Sequence, residues 1–146
     1  VNPRNRPASA TFGDALAARL ARFDGLVEVG IGARTDVAAR LADDTSVTAT
    51  DIRSCTVPGG VAFVRDDVTD PAIDVYADAD ALYALNLPRE LHRPTRAVAR
   101  TVGTELFFTT LGGEFPAVPT DTETLPAGET LFRATSRGPE PDGERG

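Results

Sequence analysis

The sequence predicts an α/β domain of three layers, built on a mostly parallel sheet of about five to six strands and truncated by the loss of one crossover helix. Three observations carry that expectation. Short apolar runs alternate with segments of helical period along most of the 146 residues, the pattern of strands connected through helices. The first run, Leu26-Val27-Glu28-Val29, breaks at once into Gly30-Ile31-Gly32, as when a buried strand turns into a tight loop that needs glycine. The connection from Ile52 to Gly60 contains Pro58-Gly59-Gly60 and is too short for a crossover helix with its loops.

The elements follow in order. Phe12, Leu16, Leu20 and Phe23 recur at helical spacing, Thr11 and Asp14 read as a capping box, and Asp24-Gly25 ends this first helix. After strand one, Thr35 is expected to cap a short helix over about Asp36 to Ala42, its free N–H groups facing the glycine loop. Strand two spans Val47 to Thr50 and closes on Asp51. Strand three runs from Val61 to Arg65, a helical turn lies near Ala72 to Ala77, and strand four is Ala81 to Leu85. A helix follows Pro88, with Pro94 expected to kink or restart it, and strand five is Glu105 to Thr110. Gly112-Gly113 breaks that strand, and Pro116, Pro119 and Pro126 exclude regular structure through a long stretch suited to substrate contact. Thr130 to Ala134 reads as a last strand at a sheet edge. Residues 9–134 thus form one domain, between tails 1–8 and 135–146 that have too few apolar residues to offset their ordering entropy.

Composition limits the function classes. At 41% hydrophobic the chain supports one core. With no apolar run of bilayer length and no signal-peptide pattern, a soluble cytoplasmic protein is expected. The single cysteine, Cys55, can form neither an internal disulfide nor a cysteine metal cluster, and reads as an incidental loop thiol; no metal site is expected. All 15 basic residues are arginine, aspartate predominates among the 22 acids, and the net charge is −7. That balance suits a salt-rich cytoplasm, where ions screen self-repulsion, and favours a halophilic source. An acidic chain ordinarily argues against nucleic acid, but in a wholly acidic proteome that argument loses force and the question stays open.

The chemistry-bearing residues cluster at strand ends. Two glycines directly after strand one allow close approach of a bound group. Asp51, nineteen positions after Gly32, stands where an acid accepts from ribose hydroxyls. A nicotinamide-binding turn wants a third small residue where Thr35 stands, so a nicotinamide-linked enzyme ranks third among the readings. Arg89, Arg93, Arg96 and Arg100 are spaced four, three and four apart on one helical stripe opposite Leu91, Thr95, Val98 and Val102. They are either a solvated face or a contact for phosphate or another anionic partner. His92 reads as an exposed helical histidine rather than a base. Asn86, in Tyr83-Ala84-Leu85-Asn86-Leu87-Pro88, is either a turn residue before a helix-initiating proline or a group that positions an acceptor.

The opening acid-x-Gly-x-Gly of Glu28, Gly30 and Gly32 resembles motif I of the Rossmann-like methyltransferases that use S-adenosylmethionine. The resemblance implies that Glu28 helps hold the loop and the cationic methionine end of the cofactor, that Asp51 takes the ribose, and that Asp67, or alternatively Asp66, takes the adenine amino group. It also implies a role for Asn86 in holding a target amine, although Leu87 and Arg89 replace the proline and the aromatic of the amine-methylating pattern. From about Asp24 to Ala134 the chain resembles a small uncharacterised archaeal protein family with a truncated methyltransferase-like fold. The residues that carry this are Leu26 to Gly32, Asp51, Asp66-Asp67-Val68, Tyr83 to Leu91 and Leu111-Gly112-Gly113-Glu114. Two functions are expected from it: a methyltransferase for an unknown acceptor, or a non-catalytic nucleoside-binding or interaction domain.

Overall fold

A computed structural model describes residues 8–126 and 128–135, with backbone only for residues 8–12. Seven strands form one sheet in the order β3-β2-β1-β4-β5-β7-β6. They are β1 (Gly25–Val29), β2 (Ser46–Asp51), β3 (Val61–Arg65), β4 (Ala81–Ala84), β5 (Glu105–Phe108), β6 (Thr120–Thr124) and β7 (Thr130–Ala134). Strands β1 to β5 are mutually parallel, and β7 runs antiparallel to both β5 and β6. The helices are α1 (Ala8–Leu20), α2 (Asp36–Leu41) and α3 (Arg89–Val102), and a 3-10 turn spans Ile73–Val75.

The sheet is covered on both faces, which is why its central strands read as near-continuous apolar runs. Along β1 the side chains alternate. Leu26 joins α1 residues Leu16 and Leu20 and α2 residues Val37 and Leu41 in one buried cluster. Val27 and Val29 join α3 residues Val98 and Ala99 in the other. Arg19 of α1 reaches over the Phe107 ring, 4.9 Å from its centre, and donates to Glu123 of β6 from Nε at 2.6 Å and Nη2 at 3.2 Å. That contact fastens α1 to the far edge of the sheet.

The expected α/β architecture is what forms, including the loop without a helix between β2 and β3. Several local expectations are corrected. Helix α1 starts at Ala8, so Thr11 lies inside it and cannot cap it; the side chains of Thr11 and Phe12 fall outside the described residues, as do tail residues 1–7 and 136–146. Thr35 occupies the N-cap position of α2, but its side chain makes no capping hydrogen bond. Helix α3 passes through Pro94 without restarting. The last strand is not at the edge: β7 lies between β5 and β6, because Thr120–Thr124 forms an additional strand outside it. No helix among the described residues is long and apolar enough to cross a membrane.

Candidate functional site

The chain leaves β1 toward α2 on one face of the sheet and leaves β4 toward α3 on the other. Since β1 and β4 are neighbours, the loops after them diverge and open a crevice at the carboxyl ends of the strands, the position where open α/β sheets bind ligands. The glycine loop forms one wall. Gly30 and Gly32 have φ of 73° and 55°, the left-handed region that side chains with a Cβ rarely enter. A Cβ at either would meet no atom within 4 Å, so the space above the loop is open. The N–H groups of Gly30 and Ile31 donate to the Thr50 carbonyl at 2.8 and 3.0 Å, and Ile31 is buried.

Asp51 locks this turn. Its Oδ2 accepts from the Gly32 N–H at 2.9 Å and its Oδ1 from the Arg53 N–H at 3.0 Å. Each carboxylate oxygen keeps further acceptor capacity for a ligand hydroxyl. Asp66 joins from β3, its N–H donating to the Asp51 carbonyl at 3.0 Å. The Asp66 carboxylate accepts from the Ala72 N–H at 3.0 Å and from the Tyr76 hydroxyl at 2.6 Å. Asp66 therefore fastens the turn before β4, and burial, followed by Asp66, holds the Tyr76 hydroxyl above its usual range. Asp67 is exposed; Thr69 donates to it from Oγ1 at 2.6 Å and from its N–H at 2.9 Å, which lowers its pKa. Of the two acids, Asp67 has the more accessible side chain.

Glu28 is 1% exposed and lies across from Tyr83 of β4 in the sheet register. The Tyr83 hydroxyl donates to Glu28 Oε1 at 2.7 Å. Burial pushes the Glu28 carboxyl up to about 8, outweighing the lowering by Tyr83 and Arg34. Glu28 is thus closed off from solvent and held by Tyr83. Tyr83 had no separate signal in the sequence, because only strand pairing brings it to an acid 55 positions away.

On the other side of the crevice, Asn86 is exposed with φ 52°. Its N–H donates to Thr109 Oγ1 at 2.8 Å, and the Leu87 N–H donates to the Thr109 carbonyl at 2.9 Å. The expectation of an exposed His92 is overturned: it is fully buried and packs on Phe108. Its Nδ1 accepts from the Ala117 N–H at 2.9 Å, so Nε2 is the donor to the Leu87 carbonyl, also at 2.9 Å. Both nitrogens are used to pin two loops together. Cys55 lies half-buried in the loop after β2; burial and then Asp51 raise its pKa, the direction opposite to nucleophile activation.

The arginine stripe follows the outer side of α3. Arg89 donates to the Phe115 carbonyl and Arg96 to the Thr135 carbonyl at 3.1 Å. Two adjoining cavities of about 570 and 590 Å³ flank this helix, with Arg96 and Arg100 lining both. Neither includes the glycine loop. Among the described residues, no three His, Cys, Asp or Glu side chains are grouped to hold a metal ion.

Known proteins share this architecture. A structure of an RNA methyltransferase from Salinibacter ruber in complex with S-adenosyl-L-homocysteine is similar, with a TM-score of 0.60 over 89% of this chain and 94% of that one, at 18% identity. The antibiotic-resistance methyltransferase Kmr gives 0.55 over 84% and 92%, at 17% identity. At such identities the likeness establishes a methyltransferase-like fold and nothing about the reaction. In sequence, a UPF0146 protein of Halobacterium salinarum is 55% identical over 120 residues, 82% of this chain and 93% of the relative. Residues 13–137 match the model of "Uncharacterised protein family (UPF0146)", and with a match of that extent the chain belongs to this family.

Proposed function

We propose that the domain binds S-adenosylmethionine, or its demethylated product, at the carboxyl ends of β1, β2 and β3, and acts as a methyltransferase on an acceptor placed beside Asn86. The observation that carries this is the glycine loop: two positive-φ glycines with open space above them, tied to the second-strand acid through the Gly32 N–H. This donor set fits an adenosyl ligand. Asp51 has acceptor capacity left for the ribose hydroxyls, Asp67 is accessible at the end of β3 for the adenine amino group, and Glu28 helps hold the loop. Bound S-adenosylmethionine supplies an already activated methyl group, so the chain's contribution is alignment and, for an amine or hydroxyl, removal of a proton. Asn86 offers a side-chain carbonyl for that alignment, at an end of β4 fixed by Thr109.

The second reading is a nucleoside-binding domain without catalysis. It is favoured by the loop of residues 52–60, which puts no helix over the β2 side of the crevice, and by Leu87 in place of the first proline after Asn86.

Calorimetric titration in high salt against S-adenosylmethionine, S-adenosylhomocysteine, NAD and ATP tests both. The adenosyl sulfur ligands are expected to bind, and Gly32→Val to abolish that binding with an unchanged circular dichroism spectrum. Asp51→Ala is expected to weaken it at least about tenfold, from the loss of charge-assisted hydrogen bonds of roughly 1.5–3 kcal/mol. Because Asp51 also holds the loop, part of that loss should persist with an analogue lacking the ribose hydroxyls. Labelled-methyl transfer to cell extract then separates the readings: transfer that stops in Asn86→Ala with cofactor affinity intact supports the enzyme, and binding with no transfer to any fraction supports the binding domain. Wild-type affinity in both Gly32→Val and Asp51→Ala would place the pocket elsewhere.

A further inference from the structure

The loop of residues 109–119 is held against the start of α3 by a set of directed contacts: Thr109 with Asn86 and Leu87, Phe115 with Arg89, and Ala117 with His92. What this clamped loop shows to solvent is unusual. Phe115 is 80% exposed and Leu111 45% exposed, on either side of Gly112-Gly113. A phenylalanine ring left in water forgoes the free-energy gain of burying its apolar surface.

The charges beside it are also distinctive. Arg19, Arg34, Arg40 and Arg133 are each paired with a carboxylate. Arg89 and Arg93 are exposed and form no ion pair with a carboxylate among the described residues. They begin a row that Arg96 and Arg100 continue along roughly 16 Å of helix. A row of guanidinium groups matches a repeating polyanion better than a single phosphate, and an exposed aromatic at its head is a stacking platform for a base that is not paired.

We infer that the face made by the first turns of α3 and the loop of residues 109–119 docks a single-stranded polynucleotide, with Phe115 stacking an unpaired base and Arg89 and Arg93 contacting its phosphates beside Asn86. The inference deepens the methyltransferase reading, for which it supplies the class of acceptor.

The test is fluorescence anisotropy of the full chain with labelled single-stranded RNA, single-stranded DNA and duplex RNA, from low salt to the molar range. Single strands are expected to bind more tightly than the duplex, with RNA and DNA distinguished by which binds better. Phe115→Ala should weaken single-strand binding roughly five- to a hundredfold. Arg93→Gln should weaken it uniformly across sequences and reduce the slope of log affinity against log salt by about one. Thermal melts matching wild type establish that both variants are folded. No binding at low salt, equal binding of duplex and single strand, or wild-type binding by both variants overturns the inference. S-adenosylmethionine titration of the wild-type chain keeps the two readings apart: cofactor binding without oligonucleotide binding removes the docking face alone, and the converse removes the cofactor site alone.

Discussion

Glu28 and Tyr83 show how a single buried pair constrains the site. A carboxyl group removed from water favours its neutral form unless a cation offsets the desolvation. Here the offset is small, since the Tyr83 hydroxyl and Arg34 lower the pKa by less than burial raises it. Burial first, and then Glu28, push the Tyr83 hydroxyl well above its ordinary range, so it remains a donor. The folded state therefore holds a proton on Glu28 that the unfolded chain releases between about pH 4.5 and 8, and stability falls as pH rises through that window. The expected result is that Glu28→Gln, measured by denaturant unfolding at several pH values, gains on wild type steadily from pH 4.5 to 8 and is level with it below. A constant difference across that range would mean that Glu28 is not the titrating group. The same pair marks what the sequence conveys at this scale. Gly30, Gly32 and Asp51 were legible because their relation is a spacing within one βαβ unit. Tyr83 was not, because its meaning depends on sheet register, and His92 was read as exposed because its neighbours are arginines and its two backbone partners lie in separate loops.

At the scale of elements, what could be read followed apolar content. Strands β1, β4 and β5 are buried on both faces and announce themselves as apolar runs. Strand β6, Thr120-Asp121-Thr122-Glu123-Thr124, has no apolar residue and is exposed at Asp121, Thr122 and Thr124, so its one signal was alternate β-branched threonine. Missing it also misplaced β7, which becomes internal only because β6 pairs outside it. Helix α3 shows the opposite case, where a breaker was read correctly but overruled. Packing of Val98, Ala99 and Thr95 beneath it carries the helix through Pro94, although that ring removes the hydrogen bond to the Glu90 carbonyl and crowds it. An interior proline costs a helix about 3 kcal/mol, partly offset by up to about 1 kcal/mol from a stiffer unfolded chain. Pro94→Ala is accordingly expected to stabilise the domain by roughly 2 kcal/mol, read as a higher denaturation midpoint with an unchanged slope. A destabilised variant would show instead that the ring itself contributes packing.

Over the whole molecule, charge is segregated. From Asp36 to Asp80 carboxylates outnumber arginines ten to three, whereas from Arg89 to Arg100 arginines outnumber carboxylates four to one. The first stretch builds α2, β2, β3 and their loops; the second is the outer row of α3, across the switch between β1 and β4. A polyanion is repelled by one half of the surface and attracted by the other, so the acidic total of −7 does not forbid a nucleic-acid strand but restricts where it can lie. Salt should then act in opposite directions on the two properties. Shortening the screening length from about 10 Å at 0.1 M to 3 Å at 1 M relieves repulsion within the acidic half. This should stabilise the fold by on the order of 1 kcal/mol, or about 4 °C in Tm. The same change should weaken oligonucleotide binding at the arginine row through lost counterion release. Melting and anisotropy series over one set of salt concentrations, the latter kept below each melting point, would read both. A Tm that falls with salt would contradict carboxylate repulsion as the term being screened. Affinity that does not fall with salt would leave stacking on Phe115 as the sole contact and remove the phosphate role of Arg89 and Arg93.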